Sequence, residues 1–352
     1  MRNMKFVGKM GVMSAALCAA VGLAGHVSAV TLTASTLNDT LTNVNTITFT
    51  TTPVFTAPDD VDSLFYLPNG SIVYDLETEQ QVRLYNPTTH TDSLIASHAG
   101  WSNQLLDMAL EPGQTSFLLS DHQAGTDGGG VYRVTLGGTV THLVNGTGYQ
   151  GVAFNPANAG AFYVANDGNG SFYYLDEYNS TGTTLLSQLA IPKANGGQEI
   201  DGLTWDPYTG ELWGAIKYGG IGEFKIDPIT GLLTGYTIFQ SSVFNDVDGI
   251  TTDGAGNLYL VVRSQTNSYD GGGDVLYANT IGIYNIAGNS LSPGSNNIPG
   301  LDDLAPAAGL GSNTPNSPVP LPASVWTGLA LLGGMGIVAG VRRRKLALAR
   351  VN

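Results

Sequence analysis

Cysteine is almost absent: the single thiol in 352 residues, Cys18, lies in an N-terminal stretch that carries its own removal signal. Leu17 before it is too large for the small residue a lipoprotein cleavage site requires, so a lipid anchor is not expected. No disulfide framework can staple the remainder, and the fold must be stabilised by core burial alone, which a chain of this length allows. Basic residues are nearly as scarce. Three of the 14 lie in the first 29 residues and five beyond Val341, which leaves six against 28 acidic residues in between, a net charge of −22 on that body. Such a field repels nucleic acid and anionic lipid headgroups and favours cations, so nucleic-acid binding is excluded. Helical periodicity sustained over a long stretch is missing from the body, as are a Gly-x-Ser-x-Gly elbow, a His-Glu-x-x-His pair and a phosphate-cradling glycine loop. Only His90, His98, His122 and His142 follow the first segment. They are too scattered for a zinc site and read as isolated surface residues.

Both ends are specific. Arg2, Lys5 and Lys9 precede an apolar run from Met10 to Ala24, and Val27, Ser28 and Ala29 place small residues where a signal peptidase reads them. Residues 1–29 are therefore expected to be a secretory signal peptide cleaved after Ala29. From Leu291 the composition shifts to Pro, Gly, Ser and Asn, the character of a linker, with 311–324 as the linker proper. Residues 325–341 are uncharged and apolar apart from Thr327. As a helix they would span roughly 25 Å, at the short end of what crosses a bilayer core. Arg342, Arg343, Arg344 and Lys345 follow at once, and such a cluster stays cytoplasmic, so 342–352 is expected to be a basic cytoplasmic tail with the body outside.

The arrangement of Val319, Pro320, Leu321 and Pro322, a Gly/Leu-rich span and an Arg-Arg-Arg-Lys cluster resembles the PEP-CTERM sorting signals of exported bacterial proteins. Leu321 stands where the usual motif has Glu, so the match is to a variant form. The resemblance covers the last 34 residues. It implies cleavage by an exosortase after transient residence in the inner membrane, then delivery to the cell surface or extracellular matrix. The alternative is an ordinary single-pass C-terminal anchor.

The body repeats. Segments beginning at Asp62, Asp107, Gln150, Asp201 and Asp248 each carry a short apolar run, a turn rich in Pro, Asn, Asp and Gly, and a second run with aromatic or β-branched residues. Their starts are 45, 43, 51 and 47 residues apart, the length of a four-stranded propeller blade. A partial sixth copy begins at Leu301, and the Thr-rich segment 31–52 has the character to supply its missing strands. Residues 30–310 are thus expected to form an all-β propeller of six four-stranded blades, the last composite, since joining the chain ends in one blade removes exposed sheet edges. Five or seven blades are the alternatives. Tyr163, Trp213 and Tyr259 recur in the second strands and read as inter-blade core. The Asp-Gly-Gly-Gly runs at 127–130 and 270–273 read as flexible loops.

Asp62, Asp107, Asp201, Asp248 and Asp302 occupy the same place in their repeats, immediately before the first strand, with Gln150 as the exception. If the first strands line the central channel, these carboxylates converge on one mouth of it, where they raise one another's pKa or recruit calcium through oxygen ligands. The competing reading is that each Asp begins a strand by bonding the turn backbone. Residues 201–231 are similar to a blade of the gluconolactonase-type six-bladed propellers, calcium-dependent hydrolases of sugar lactones. That resemblance implies a metal-ligand position for Asp201. The other ligands of that family, a Glu in the first blade and an Asn in a middle one, have no clear counterpart; Asp62 opens blade one and Glu199 is only nearby. Two functions remain open: a binding module that presents a loop-rich face to a glycan or protein, and a calcium-dependent lactonase-like hydrolase working at the channel mouth.

Overall fold

The computed structural model describes residues 31–306 except 37–38, 124, 157–159, 169–170, 194–198, 218–219, 240–246, 263–267, 270–274, 277, 294–297 and 300. The signal segment, the linker with its Pro-containing motif, the span and the basic tail lie outside the described residues. Among the described residues no helix is long and apolar enough to cross a membrane.

Each repeat folds as a four-stranded antiparallel meander. Blade 1 is Leu64–Tyr66, Ile72–Leu76, Gln81–Asn86 and Thr91–Ser97; blade 2 is Leu105–Leu110, Ser116–Asp121, Gly130–Thr135 and Val140–Asn145. Blade 3 runs Tyr149–Phe154, Phe162–Asn166, Phe172–Tyr178 and Leu185–Pro192, and blade 4 Ile200–Asp206, Glu211–Ile216, Gly220–Ile226 and Leu233–Phe239. Blade 5 is Val247–Thr252, Asn257–Val262, Ala278–Asn285 and Ser290–Pro293, with Ile298–Pro299 added along its third strand. Blade 6 takes its inner strand, Leu301–Pro306, from the end of the body and its other three, Thr31–Thr36, Thr40–Asn45 and Thr51–Thr56, from the beginning. The composite closure expected from the sequence is therefore what forms.

Local chemistry sets the turns. In Asp206-Pro207-Tyr208-Thr209-Gly210 the Asp206 carboxylate accepts the Thr209 N–H at 2.9 Å, and Gly210, at φ +72°, donates back to the Asp206 carbonyl at 2.9 Å. The same five-residue pattern at 227–231 repeats the arrangement, with Asp227 accepting from Ile229 and Thr230. An Asx turn closed by a left-handed glycine pins each hairpin. Second strands such as Ile72–Leu76 and Ser116–Asp121 are buried on both faces because each lies between two neighbouring blades, whereas outer strands such as Thr91–Ser97 are largely exposed.

Six apolar clusters fill the six interfaces between blades. Tyr163 lies between blades 3 and 4, Trp213 between 4 and 5, and Tyr259 between 5 and 6, all fully buried as their recurrence suggested. Leu301 and Leu304 complete the cluster between blades 5 and 6, while Ala305, from the same strand, packs with Leu41, Leu64 and Tyr74 between blades 6 and 1. Two expectations are corrected. The composition shift at Leu291 does not end the fold, because Ser290–Pro293 and Leu301–Pro306 pair into blades 5 and 6. The glycine run at 127–130 is a packed turn rather than a loose loop: a Cβ on Gly129 would lie 2.2 Å from the Gln123 carbonyl oxygen. The run at 270–273 lies outside the described residues.

Candidate functional site

The inner strands share one irregularity. Partner registers slip between Leu105 and Met108, Tyr149 and Val152, Ile200 and Leu203, and Val247 and Ile250, and in blade 6 opposite Ala34 and Thr36. Each slip is a β-bulge of two residues against one, which turns a side chain away from the ladder. The bulge pairs are Leu106-Asp107, Gln150-Gly151, Asp201-Gly202, Asp248-Gly249 and Asp302-Asp303. In blade 1 Asp62-Ser63 stands in the same place, with both N–H groups donating to the Asp75 carboxylate at 3.1 and 2.8 Å.

This register corrects the alignment drawn from sequence. The first bulge positions are Asp62, Leu106, Gln150, Asp201, Asp248 and Asp302, spaced by 44, 44, 51, 47 and 54 residues. Asp107 is not their equivalent; it occupies the second position, with Asp303. Nor do these carboxylates precede the strands: all but Asp62 sit inside them. Glycine fills the second position where neighbouring inner strands approach closely. A Cβ on Gly151 would lie 2.9 Å from Gly202 backbone, and one on Gly249 would lie 2.6 Å from the Asp303 carboxyl. Where the residue is acidic, a serine hydroxyl opposite holds its N–H: Ser120 accepts from Asp107 at 3.0 Å and Ser35 from Asp303 at 2.9 Å.

At the end of the axis where the inner strands begin, these residues enclose a cavity of about 330 Å³. All five predicted aspartates line it, together with Glu77, Glu199, Asp303, His122, Lys217, Gln104 and Gln150. Asp107 reaches across to blades 3 and 4, accepting the Val152 N–H at 2.8 Å and the Leu203 N–H at 3.4 Å. Burial pushes its carboxyl up to about 7 against those hydrogen bonds. Burial, then the charge of Asp107, holds Asp303 well above the usual carboxylate range. Asp62 is likewise raised, by burial and by the Asp302 carboxyl to which it is hydrogen-bonded, and Glu77 is pushed to about 7 by burial and by Asp302.

Lys217 and His122 share the cavity with these acids. Lys217 Nζ lies 3.4 Å from Glu199 Oε2 and 3.6 Å from Asp201 Oδ2. His122 is not an isolated surface residue: Nε2 is 2.8 Å from Asp167 Oδ2 and Nδ1 is 2.9 Å from Gln104 Oε1. The Asp167 bond raises the His122 pKa against the opposing effect of burial. The remaining histidines also have partners, His90 with Tyr85, His98 with Asp127, and His142 stacked on Tyr132 at 4.3 Å. Among the described residues no group of three or more His, Cys, Asp or Glu side chains is arranged to hold a metal ion. Sequence reasoning missed Glu77, Asp303, His122 and Lys217. Only Asp303, beside Asp302, had a visible signal.

No family model matches the chain and no curated protein is similar to it in sequence. Solved structures share its fold. A chain of the nidogen/laminin complex superposes with a TM-score of 0.59 at 14% identity, over 80% of this chain and 98% of that one. TolB from Acinetobacter baumannii gives 0.53 at 17% identity, over 79% and 66%. A gluconolactonase from Xanthomonas campestris gives 0.51 at 17% identity, over 65% and 78%. At these identities the likeness establishes a six-bladed propeller, a fold found both in a protein–protein complex and in an enzyme.

Proposed function

We propose that the protein is exported, held first at the inner membrane by its C-terminal span, processed by an exosortase-like enzyme, and displayed at the cell surface or in the matrix, where its propeller binds a glycan or protein through the axial cavity. The observation that carries the binding role is the concentration of eight carboxyl groups in one cavity with a single lysine and a single histidine. Export rests on the signal-like start and the sorting-type tail.

Processing gives a direct test in a host that makes an exosortase. Mass spectrometry of the mature protein should find a start at Val30 and an end between Pro320 and Ser324, with 325–352 missing. Neutral residues at Arg342, Arg343, Arg344 and Lys345 should impair retention and cleavage, because the orientation cue is gone. An intact C-terminus at Asn352 in protein recovered from the surface reduces the tail to a plain anchor.

A second reading, a calcium-dependent hydrolase of sugar lactones, is favoured by the presence of Asp201 and Asp248 on the same cavity wall. On that reading millimolar calcium raises the Tm more than sodium chloride of equal ionic strength, since a site on the native state adds RT ln(1 + [L]/Kd) beyond screening. Equal shifts leave screening of the −22 body as the only effect. Lactone turnover abolished by Asp201→Ala would replace the binding-module reading with this one.

A further inference from the structure

Strand direction fixes where the chain leaves the ring. Inner strands start at the cavity mouth, so the hairpin turns between first and second strands, and between third and fourth, lie at the opposite end. Both ends of the described chain lie there too, since Leu32 pairs with Pro306 where Thr31–Thr36 begins and Leu301–Pro306 finishes. The two ends of the ring differ in charge. Around the mouth, Asp59, Glu79 and Asp127 add to the carboxyl groups of the cavity. At the far turns the acidic residues among those described are Glu111, Asp206, Asp227 and Asp253, and none is exposed. Glu111 is paired with Arg133 at 3.3 Å, and the other three accept N–H groups of their own turns. What protrudes there is neutral. Thr48 and Thr50, Thr89 and Thr91, and Thr181 and Thr183 bond hydroxyl to hydroxyl at 2.8–2.9 Å. Ile47, Leu185, Tyr208 and Ile229 stand at the same end, exposed by 54, 46, 39 and 92%.

We propose that this far end is a lipid-facing surface, which rests on the bilayer that holds the 325–341 span while the acidic mouth points away from it. The inference rests on the anchored-precursor reading and gives the body an orientation within it. Residues 307–324 separate Pro306 from the span. Their composition is that of a coil, for which this length gives a mean end-to-end distance of roughly 20–25 Å. Strands of about six residues put the mouth roughly 20 Å further off. Anionic headgroups repel the mouth but not the far turns, because a surface charge acts only within a Debye length of roughly 8–10 Å. Isoleucine and leucine tips supply apolar contact, and tyrosine suits the boundary, its ring in hydrocarbon and its hydroxyl in water. Threonine hydroxyls already bonded to one another lose little on leaving water. The tether favours lipid over a second copy of the chain, since it holds the face beside the bilayer whatever the protein concentration.

The test places one fluorescent label at a time on the full-length chain, cleared of its only other thiol by Cys18→Ser. Thr48→Cys and Thr230→Cys carry the label at exposed far turns, beside Ile47 and Ile229, and Thr78→Cys carries it at the mouth. Each chain is reconstituted into vesicles of phosphatidylethanolamine and phosphatidylglycerol that bear a nitroxide on the upper acyl chain. The label should be quenched about twofold or more at Thr48→Cys and Thr230→Cys, since interfacial side chains reach roughly 5–10 Å into the headgroup boundary. At Thr78→Cys it should not be quenched. Ile47→Asp and Ile229→Asp together should abolish the difference, and because both positions are exposed, an unchanged thermal melt shows that the fold is intact. Equal quenching of all three labels, or stronger quenching at Thr78→Cys, overturns the inference. So does shielding of the Thr48→Cys and Thr230→Cys labels from aqueous iodide without lipid quenching, which means that a second copy covers the face. A chain that floats with the vesicles but is quenched at no label sinks this inference alone. One that does not float sinks the anchoring reading as well.

Discussion

Between pH 5 and pH 8 the folded propeller is expected to lose stability, and Asp107→Asn is expected to remove much of the loss. The sign follows from proton counting. A carboxyl whose folded pKa lies above its unfolded value binds more protons in the folded state, so stability is intact below the unfolded value and falls as pH rises toward the folded one. Asp107 moves from 3.8 to about 7, which costs the folded state at most about 4 kcal/mol above both values. Asp62, Asp75 and Asp303 are raised by burial and Glu77 reaches about 7, all in the same direction. His122 adds to the trend, because a raised imidazole contributes stability that is lost as pH climbs through its folded value. Asp227, held low by the N–H groups of Thr230 and Ile229, opposes the trend only in acid. Asparagine keeps the acceptor that Val152 needs without the buried charge, so the variant should melt higher than the parent at pH 8, by roughly 2–4 °C for each kcal/mol recovered. It should match the parent near pH 4. A parent that becomes more stable from pH 5 to pH 8 would contradict this account of the cavity.

The same bulges explain which parts of the site were legible. A strand, turn and strand repeated at blade length is local information, and the Asp-Gly pairs at 201 and 248 are the bulges themselves, visible because glycine is needed where inner strands nearly touch. Asp107 misled because in blade 2 an apolar Leu106 takes the first position and the carboxylate shifts to the second, a one-residue offset that no spacing argument resolves. Glu77, His122 and Lys217 come from residues just past the second strands, and only ring closure brings them to the axis. Their meeting is a property of tertiary geometry, absent from any single repeat. The composition shift at Leu291 failed for a related reason: strand pairing overrode a Pro/Ser/Asn-rich sequence with poor intrinsic β propensity. The histidines were read as isolated because each partner lies 5 to 45 residues away.

Removing one six-residue strand should unfold the whole ring. Leu301–Pro306 is the inner strand of blade 6 and the only segment of the described chain that joins the late sequence to the N-terminal strands by backbone pairing, with Thr33 opposite Ala305 and Ala34 opposite Leu304. Its side chains serve two interfaces, Leu301 and Leu304 on the blade 5 side and Ala305 on the blade 1 side. Full burial of a leucine is worth roughly 1.5–3 kcal/mol, so the two leucines alone approach the lower part of the 5–15 kcal/mol that stabilises a typical domain. Loss of the strand also bares edges on Thr31–Thr36 and exposes Leu32, Ala34 and Leu41, which invites aggregation. A body ending at Gly300 should therefore fail to melt cooperatively, while one ending at Leu310 melts like the intact chain. Leu304→Ala, a milder version of the same injury, should cost about 2–5 kcal/mol without changing the β-rich circular dichroism spectrum. Equal melting temperatures for the bodies ending at 300 and 310 would mean that the five remaining blades hold together on their own and that the closure joins the ends without stabilising the ring.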